Sequence, residues 1–272
     1  MMNQRPFDNM TTAVKWILII NVIIFAAVNM MGEAHVDLAS RLGMHLPGAE
    51  HFAIYQYVTH MFTHANLMHI FFNMFAVFMF GRILENVWGT KRFVFYYFVT
   101  GLGAALLHSL VSWYDYHHLQ EMYRAFQETP DAGLFAEFLR EVTKTIPPDM
   151  SAALNDWATH PEQAPRYINE ARSLYESVLD NRLNVPTIGA SGAVFGLLLA
   201  FGMLFPNTQL MLMFLPIPIK AKYFVIGYGA IELFYGLQNQ AGDNVAHFAH
   251  LGGMLFGFFI VRYWRKHSKR FY

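Results

Sequence analysis

Six stretches of the chain are almost continuously apolar, and polar segments separate them. A helix that crosses a bilayer needs roughly 20 mostly apolar residues, and each stretch reaches or approaches that length. The pattern therefore predicts an all-α polytopic membrane protein, built as a bundle of six transmembrane helices. The predicted spans are Val14–Met31, Leu67–Trp88, Phe93–Trp113, Thr187–Phe205, Tyr223–Leu237 and Val245–Trp264.

A further apolar segment, Gln209–Ile219, lies between the fourth and fifth spans. It contains Pro216 and Pro218, and proline removes a backbone donor and interrupts a helix. We therefore expect a connector that lies along the membrane surface here, and not a seventh span.

Lysine and arginine residues near the span ends predict the orientation of the chain, because cytoplasmic loops carry an excess of them. Both termini are expected in the cytoplasm, and segments 32–66, 114–186 and 238–244 are expected on the outer face. The residues that carry this bias are Arg5, Lys15, Arg82, Lys91, Arg92, Lys220, Lys222, Arg262, Arg265, Lys266, Lys269 and Arg270.

The segment 113–186 differs from the rest of the chain. It is polar and contains about twice as many Asp and Glu as Lys and Arg. Apolar residues recur at helical spacing within 134–142 and 168–178, and prolines separate these stretches. We expect a helical extramembrane insert between the third and fourth helices, with residues 1–112 and 187–272 forming the membrane core. Solvation explains the acidic surface of the insert, and a partner-binding role is the alternative.

Composition narrows the chemistry and the location. The chain has no cysteine, which excludes disulfides, zinc–thiolate sites and cysteine catalysis. Its formal net charge of zero gives no indication of nucleic-acid binding. The first apolar stretch is long for a signal peptide, and no small-residue cleavage site follows it. With no transit peptide before span one, we expect a bacterial inner membrane.

Four polar residues inside the predicted spans converge at one depth: His69, Asn73, Ser191 and His250. Spans two, four and six all run inwards from the outer face, and each carries its polar residues in its first turns. Such residues are rare in spans and usually functional. Ser191 and His250 are a candidate nucleophile and base, because a serine hydroxyl reacts only when a base takes its proton.

His69 and Asn73 are four residues apart and share a helix face, so their N–H groups are candidate donors to an oxyanion. The backbone N–H of Ser191, at a helix N-terminus, is a third. No carboxylate is expected beside His250, because Glu85 and Glu232 lie near an inner span end or in mid-helix. The sequence therefore predicts a Ser–His dyad and not a triad.

Glycines line the two helices that carry the candidate dyad. Small residues at a spacing of four let helices approach closely, as a direct hydrogen bond between Ser191 and His250 requires. The residues concerned are Gly189, Gly192 and Gly196 in span four, and Gly253 and Gly257 in span six.

Two other chemistries were weighed against this one. His60, His64 and His69 are possible metal ligands, but no HExxH motif and no adjacent acidic ligand accompanies them, so we expect no metal and no cofactor. An aspartyl mechanism would need two intramembrane aspartates, whereas Asp115 and Asp243 fall in outer loops or at span ends.

Three motifs resemble those of the rhomboid intramembrane serine proteases. His69-Ile-Phe-Phe-Asn73 resembles the family's HxxxN, Gly189-Ala-Ser191-Gly192 its GxSG, and the segment from His250 to Gly257 its HxxGxxxG. The order and the helices also agree. The glycine spacing selects His250 over His247, which has a histidine and a methionine at the matching positions.

The resemblance implies a fold, an activity and roles for single residues. Ser191 would be the nucleophile, His250 the general base and acid, and His69, Asn73 and the Ser191 N–H the oxyanion donors. Phe195 would pack against the histidine, loop 32–66 would be an outer lobe embedded in the membrane, and loop 238–246 would cap the site. The insert departs from the minimal family pattern.

The implied partners are the lipid bilayer and single-span membrane proteins, which would be cut in or near their spans. No nucleic acid and no particular oligomeric state is implied. Two rival functions come from other classes. One is an inactive rhomboid-like protein that binds membrane clients, and the other is a small-solute transporter, which would want charged residues at mid-membrane and an inverted repeat.

Overall fold

The computed structural model describes residues 10–30, 35–212, 215–238 and 246–267. Most of these residues are helical, which confirms the predicted all-α fold class. The predicted cap loop 238–246 and Asp243 fall largely or wholly outside the described residues, as do Arg5, Lys269 and Arg270.

Within the described residues, three helical segments are long and apolar enough to cross a membrane by length and composition. The middle segment joins α4 (Leu67–Ala76) and α5 (Arg82–Trp88) through a short π-helical turn over Val77–Gly81, where the backbone widens within one continuous helical segment. The three segments are α1 (Thr12–Met30), α4 and α5 together (Leu67–Ala76 and Arg82–Trp88), and α6 (Thr90–Glu128).

Three further helices occupy the places of the other predicted spans. They are α10 (Ser191–Leu204), α11 (Ala221–Gln238) and α12 (His247–His267). The apolar α10 has 14 residues, which is shorter than the length that usually spans a bilayer. The count of six spans therefore stays a prediction, while the helical bundle itself is described.

The short helix α10 is the centre of the bundle. It packs against α6, α11 and α12, and nearly all of its residues are buried. A helix that is apolar on every face has no side for solvent and is stable only when protein or lipid surrounds it. Ser191, the first residue of α10, is therefore held by the most enclosed element of the molecule.

The side chain of Glu85 on α5 bonds to the start of α1. Its two carboxylate oxygens accept the backbone N–H groups of Ala13 at 2.9 Å and Val14 at 3.0 Å, and the Thr90 hydroxyl donates to it at 2.8 Å. The first N–H groups of a helix have no partner within the helix, so a negative charge placed there satisfies them and complements the helix dipole. Glu85 thus fixes where α1 begins against α5.

The segment between α1 and α4 reaches the chain just before Ser191. It contains α2 (His35–Leu42), α3 (Gln56–Thr59) and a 3₁₀ turn (His60–Phe62). Met44 and Thr187 exchange two backbone hydrogen bonds of 2.8 Å, and the Gly189 N–H donates to the His60 carbonyl at 2.9 Å. This lobe therefore holds the start of α10 in place.

The predicted insert is a second helical cluster with its own hydrophobic core. The predicted boundary at residue 113 falls inside a single helix, because α6 continues without a break to Glu128. The remaining elements are α7 (Ala132–Thr143), α8 (Pro148–Thr159), a 3₁₀ turn (Pro161–Gln163) and α9 (Ala164–Asn184). The buried core of this cluster is Leu119, Phe126, Phe138, Leu139, Trp157, Ala171 and Tyr175.

The connector after α10 is a short antiparallel hairpin of β1 (Gln209–Leu212) and β2 (Leu215–Lys220). The sequence predicted a connector along the membrane surface and specified no strands, so the hairpin is an addition to the all-α prediction. A two-stranded sheet consists only of edge strands, where proline is tolerated. Pro216 and Pro218 are therefore compatible with β2.

Candidate active site

Ser191 begins α10 directly after a backbone conformation that favours glycine. Gly189 has a φ of 122°, in the region that residues with a side chain rarely adopt. The chain turns there and enters the helix at Ser191. The backbone N–H of a first-turn residue has no acceptor within its helix, so the Ser191 N–H stands at the positive end of α10 without an intrahelical partner.

The structure brings Ser191 and His250 into direct contact. The Ser191 hydroxyl lies 2.8 Å from Nε2 of His250, which is buried on α12. This distance lies within the range in which a general base can take up a proton. Two residues that are 59 positions apart in sequence thus meet because α10 and α12 pack side by side.

A carboxylate stands behind His250, contrary to the sequence expectation. Oε2 of Glu232 on α11 lies 2.8 Å from Nδ1 of His250 and 2.6 Å from Nδ1 of His247. We expected Glu232 to lie away from the serine and the histidine to have no carboxylate partner. That prediction was wrong, because α11 runs antiparallel to α12 and presents Glu232 at the depth of the histidine.

The ring of His250 is also held from its face. Phe195 stacks on it with ring centroids 4.1 Å apart and an interplanar angle of 9°. Phe195 itself contacts Tyr228 at 4.9 Å. One helical turn separates Phe195 from Ser191, so α10 supplies both the hydroxyl and the surface on which the imidazole rests.

Three glycines set the close approach of α10 to its neighbours. A Cβ atom on Gly253 would overlap the backbone carbonyl of Gly192, and one on Gly192 would overlap Ala104 of α6. A Cβ on Gly257 would overlap the hydroxyl of Tyr96. The glycine spacing was therefore informative about packing between α10 and α12.

Tyr96 was not singled out from the sequence. Its hydroxyl donates to the carbonyl of Gly196 at 2.7 Å, and its side chain is fully buried. A tyrosine in an apolar run reads as ordinary core, and only the glycine partners on α10 and α12 distinguish it. It fastens α6 to the middle of α10.

His69 lies beside the turn that precedes Ser191. Its Nε2 would lie 2.7 Å from a Cβ atom on Gly189, so the two residues are in close contact. The backbone N–H of Ala65 donates to Nδ1 of His69 at 3.4 Å. A neutral imidazole has one donor nitrogen and one acceptor nitrogen, so this bond assigns the N–H to Nε2, on the side of Gly189.

Asn73 lies one turn further along α4 and is buried. Its side-chain nitrogen donates to the carbonyl of His69 at 2.9 Å. The amide nitrogen carries two N–H groups, and this bond occupies one of them. The bond also fixes the orientation of Asn73 relative to His69.

The histidines before α4 do not gather around a metal position. Nδ1 of His60 donates to the carbonyl of Gln56 at 2.9 Å, and the ring of His64 meets that of His69 edge-on at 5.0 Å. Burial lowers the pKa of His60 to about 4, and burial together with the nearby His69 lowers the pKa of His64 to about 3. Both rings are therefore neutral at pH 7.

Glu232, His247 and His250 form a group whose ligand atoms lie within 4.8 Å of one another, as a metal site would require. Both ring nitrogens, however, lie at hydrogen-bond distance from the same carboxylate oxygen. An ion would have to enter between atoms that already satisfy one another. The residues present fit a hydrogen-bonded network better than a metal centre.

We predict that Gly189→Ala destabilises the protein more than Gly48→Ala. Both glycines have positive φ values, 122° and 102°, so alanine is strained at each by about 1–3 kcal/mol. Only at Gly189 would the new methyl group also collide with His69, because no atom of the described residues lies within 4 Å of a Cβ on Gly48. Thermal unfolding in detergent measures both, and equal melting temperatures would contradict the contact with His69.

The sequence matches the model of a known protein family. The sequence model of the Rhomboid domain family matches residues 51–120 and 169–267, which together are more than half of the chain. The matched residues include the segments that carry His69, Asn73, Ser191, Glu232 and His250. They leave out most of the insert.

Two curated relatives carry the same family name. Rhomboid-like protein 11 of Arabidopsis thaliana, described as chloroplastic, is 32% identical over 111 residues, which are 41% of this chain and 36% of that protein. An uncharacterized mitochondrial rhomboid protein of Schizosaccharomyces pombe is 29% identical over 226 residues, which are 78% of this chain and 52% of that protein. The chain thus spans about half or less of the length of these relatives.

Proposed function

The chain belongs to the rhomboid family of integral multi-pass membrane proteins, and from this premise we propose that it is an intramembrane serine endopeptidase. The observation that carries the proposal is the hydrogen bond of 2.8 Å between Ser191 and His250. An apolar bundle rarely places a hydroxyl and an imidazole together without a function, because polar groups in spans are costly.

In the proposed reaction, Ser191 attacks the carbonyl carbon of a peptide bond. Nε2 of His250 takes the hydroxyl proton as the new C–O bond forms, and the carbonyl oxygen becomes an oxyanion. His250 then gives the proton to the leaving amine, and the C–N bond breaks. A water molecule, deprotonated in turn by His250, hydrolyses the acyl-enzyme and restores Ser191.

Three donors are proposed for the oxyanion. The Ser191 N–H stands at the positive end of α10, and Nε2–H of His69 lies on the side of Gly189, two residues from the serine. The second N–H of Asn73 is the third donor. Preorganised donors of this kind stabilise the transition state by roughly 3–4 kcal/mol each in proteases.

The proposed substrates are single-span membrane proteins. In the proposed arrangement the helices that carry the site are embedded in the bilayer, so the peptide would reach the site from the membrane or its outer surface. A helical peptide bond has its carbonyl engaged, so we expect cleavage at small or helix-breaking residues, where the backbone opens.

The site is proposed to open to the outer face, and no cofactor takes part in the proposed mechanism. The names of the two relatives place those proteins in chloroplasts and mitochondria, so they give no support to the expected bacterial inner membrane.

The rival function is an inactive family member that binds membrane clients. Such a protein would have no need of a bond between Ser191 and His250, nor of a carboxylate behind the histidine. Both contacts favour the enzyme over the client-binding protein.

A fluorophosphonate probe tests the proposal directly. We expect the purified full chain in detergent to cleave a model single-span substrate, and the probe to block cleavage while forming one adduct, which peptide mass spectrometry maps to Ser191. A Ser173→Ala variant, altered at an exposed serine of α9, should be labelled like the wild type. Cleavage that survives full labelling, or an adduct on another serine, would contradict the proposal.

A further inference from the structure

Glu232 holds His250 from the side opposite Ser191. Its Oε2 lies 2.8 Å from Nδ1 of His250, while Nε2 of the same ring lies 2.8 Å from the serine hydroxyl. We propose that Glu232 is a positioning residue for His250, so that Ser191, His250 and Glu232 act as a triad. This inference rests on the proposed protease function.

The hydrogen bonds determine which ring nitrogen carries the proton. An ionised carboxylate only accepts hydrogen bonds, so Nδ1 of His250 must be the donor. In a neutral ring Nε2 then has no proton and offers its lone pair to the Ser191 hydroxyl. Glu232 thus selects the tautomer that can act as a base.

The charge of Glu232 also favours the step in which His250 gains a proton. The residue is 4% exposed, and charges interact more strongly in such surroundings than in water. When His250 takes the serine proton, its ring becomes positive beside this carboxylate. The transition state is stabilised more than the neutral ground state, which is the condition for a faster reaction.

The three sides of the His250 ring are therefore all constrained. Phe195 covers its face, Ser191 meets one nitrogen and Glu232 meets the other. Each contact comes from a helix other than α12, so the orientation of the ring depends on how both α10 and α11 pack against α12.

His247 bonds to the same carboxylate oxygen of Glu232 and helps to stabilise the negative charge of Glu232 inside the bundle. A buried carboxylate needs donors, and His247 provides one at 2.6 Å, half buried at the start of α12. A purely structural function, in which Glu232 only joins α11 to α12 through His247, is the alternative. It predicts losses of stability without a specific loss of turnover.

Two substitutions of Glu232 distinguish the positioning of His250 from a purely structural function. Glu232→Gln keeps an acceptor oxygen but removes the charge, and Glu232→Met removes both with a side chain of similar length. Glu85→Gln is the matched control, since Glu85 is also a buried carboxylate but bonds to the start of α1. Wild type, Ser191→Ala and these three variants are compared in kcat, KM, fluorophosphonate labelling rate and melting temperature.

We expect kcat to fall about tenfold or more in Glu232→Gln and about 100-fold or more in Glu232→Met, since loss of a triad carboxylate costs up to about 10⁴-fold in serine proteases. KM should stay within about threefold, because substrate binding does not use Glu232. Labelling of Ser191 should slow in parallel. Glu85→Gln should lower the melting temperature while its kcat, measured well below that temperature, stays within about threefold.

The proposal is overturned if Glu232→Met retains kcat while Ser191→Ala is inactive. It is equally overturned if Glu85→Gln loses kcat as much as the Glu232 variants do. If the wild type cleaves no substrate, the proposed protease function is wrong independently of Glu232. The tautomer of His250 then tests whether Glu232 positions this ring. The measurement is an NMR spectrum of protein with ¹⁵N-labelled histidine rings, in which the signal absent from His250→Ala is assigned to His250. That signal must show a protonated Nδ1 in the wild type and a shifted proton position in Glu232→Met.

Discussion

Replacing Ser191 with alanine is expected to reduce cleavage of a single-span substrate by about 10⁴-fold or more, and His250→Ala should do the same. The alanine at position 191 leaves no oxygen to attack the peptide carbonyl. The alanine at position 250 leaves the hydroxyl without the base that lies 2.8 Å away. Because the two groups act as a unit, the double variant should be no slower than either single one.

Two matched variants show whether these losses are specific. Ser173→Ala alters an exposed serine of α9 and His118→Ala an exposed histidine of α6, so both should cleave at the wild-type rate. Initial rates of product formation on a gel, at equal amounts of folded protein, provide the measurement. Residual cleavage by Ser191→Ala at a tenth of the wild-type rate would exclude Ser191 as the nucleophile.

Replacing Gly253 with alanine should lower the cleavage rate about 100-fold without changing any reacting atom. The new Cβ would overlap the backbone carbonyl of Gly192, and a backbone oxygen cannot rotate away as a side chain could. The helices α10 and α12 would have to separate by about 1 Å, and a displacement of that size can cost about 100-fold in rate. We also expect a loss of about 1–3 kcal/mol in stability, as for other overpacked cores.

Gly227→Ala is the control for this substitution. Gly227 lies on α11, and nothing lies within 4 Å of a Cβ atom built on it. The same chemical change should therefore leave both the melting temperature and the cleavage rate close to the wild-type values. A Gly253→Ala protein with wild-type kcat would show that the contact between α10 and α12 does not set the distance from Ser191 to His250.

The helices of the bundle could be predicted because a membrane allows few alternatives. Long apolar runs placed α1, and α4 with α5, within a few residues of their observed bounds, and they placed the start of α6 equally well. The continuation of α6 to Glu128 was missed, since the helix goes on after the apolar run ends at Trp113. Hydrophobicity reports the membrane boundary, whereas the hydrogen bonds that continue a helix do not depend on it.

The contact between Ser191 and His250 was predictable for a different reason. Both residues were expected near the outer ends of helices that run in the same direction, so both were expected at the same depth in the membrane, where they could meet. The glycines then indicated which helices could approach. The small hairpin after α10 was not predicted, because Pro216 and Pro218 mark the end of helices without indicating a paired strand.

The contact of Glu232 with His250 was not predicted, although the distances of the two residues from the outer ends of their helices could have indicated it. It lies six residues before the end of α11, which is about 9 Å along the helix, while His250 lies three residues after the start of α12, about 4.5 Å along. The side chains of Glu and His bridge the difference. A residue in mid-helix is expected to lie far from a histidine near the outer end of a span, but the antiparallel packing of α11 against α12 brings Glu232 beside His250.

The bond from Glu85 to the start of α1 has a consequence for biosynthesis. Ala13 and Val14 leave the ribosome long before Glu85 does, and at about 5–20 residues per second the delay is roughly 4–15 s. During that interval the N–H groups at the beginning of the first helix lack the carboxylate that holds them in the folded protein. The final depth of this helix is therefore set late, when the hairpin of the second and third helices arrives and the carboxylate takes over those groups.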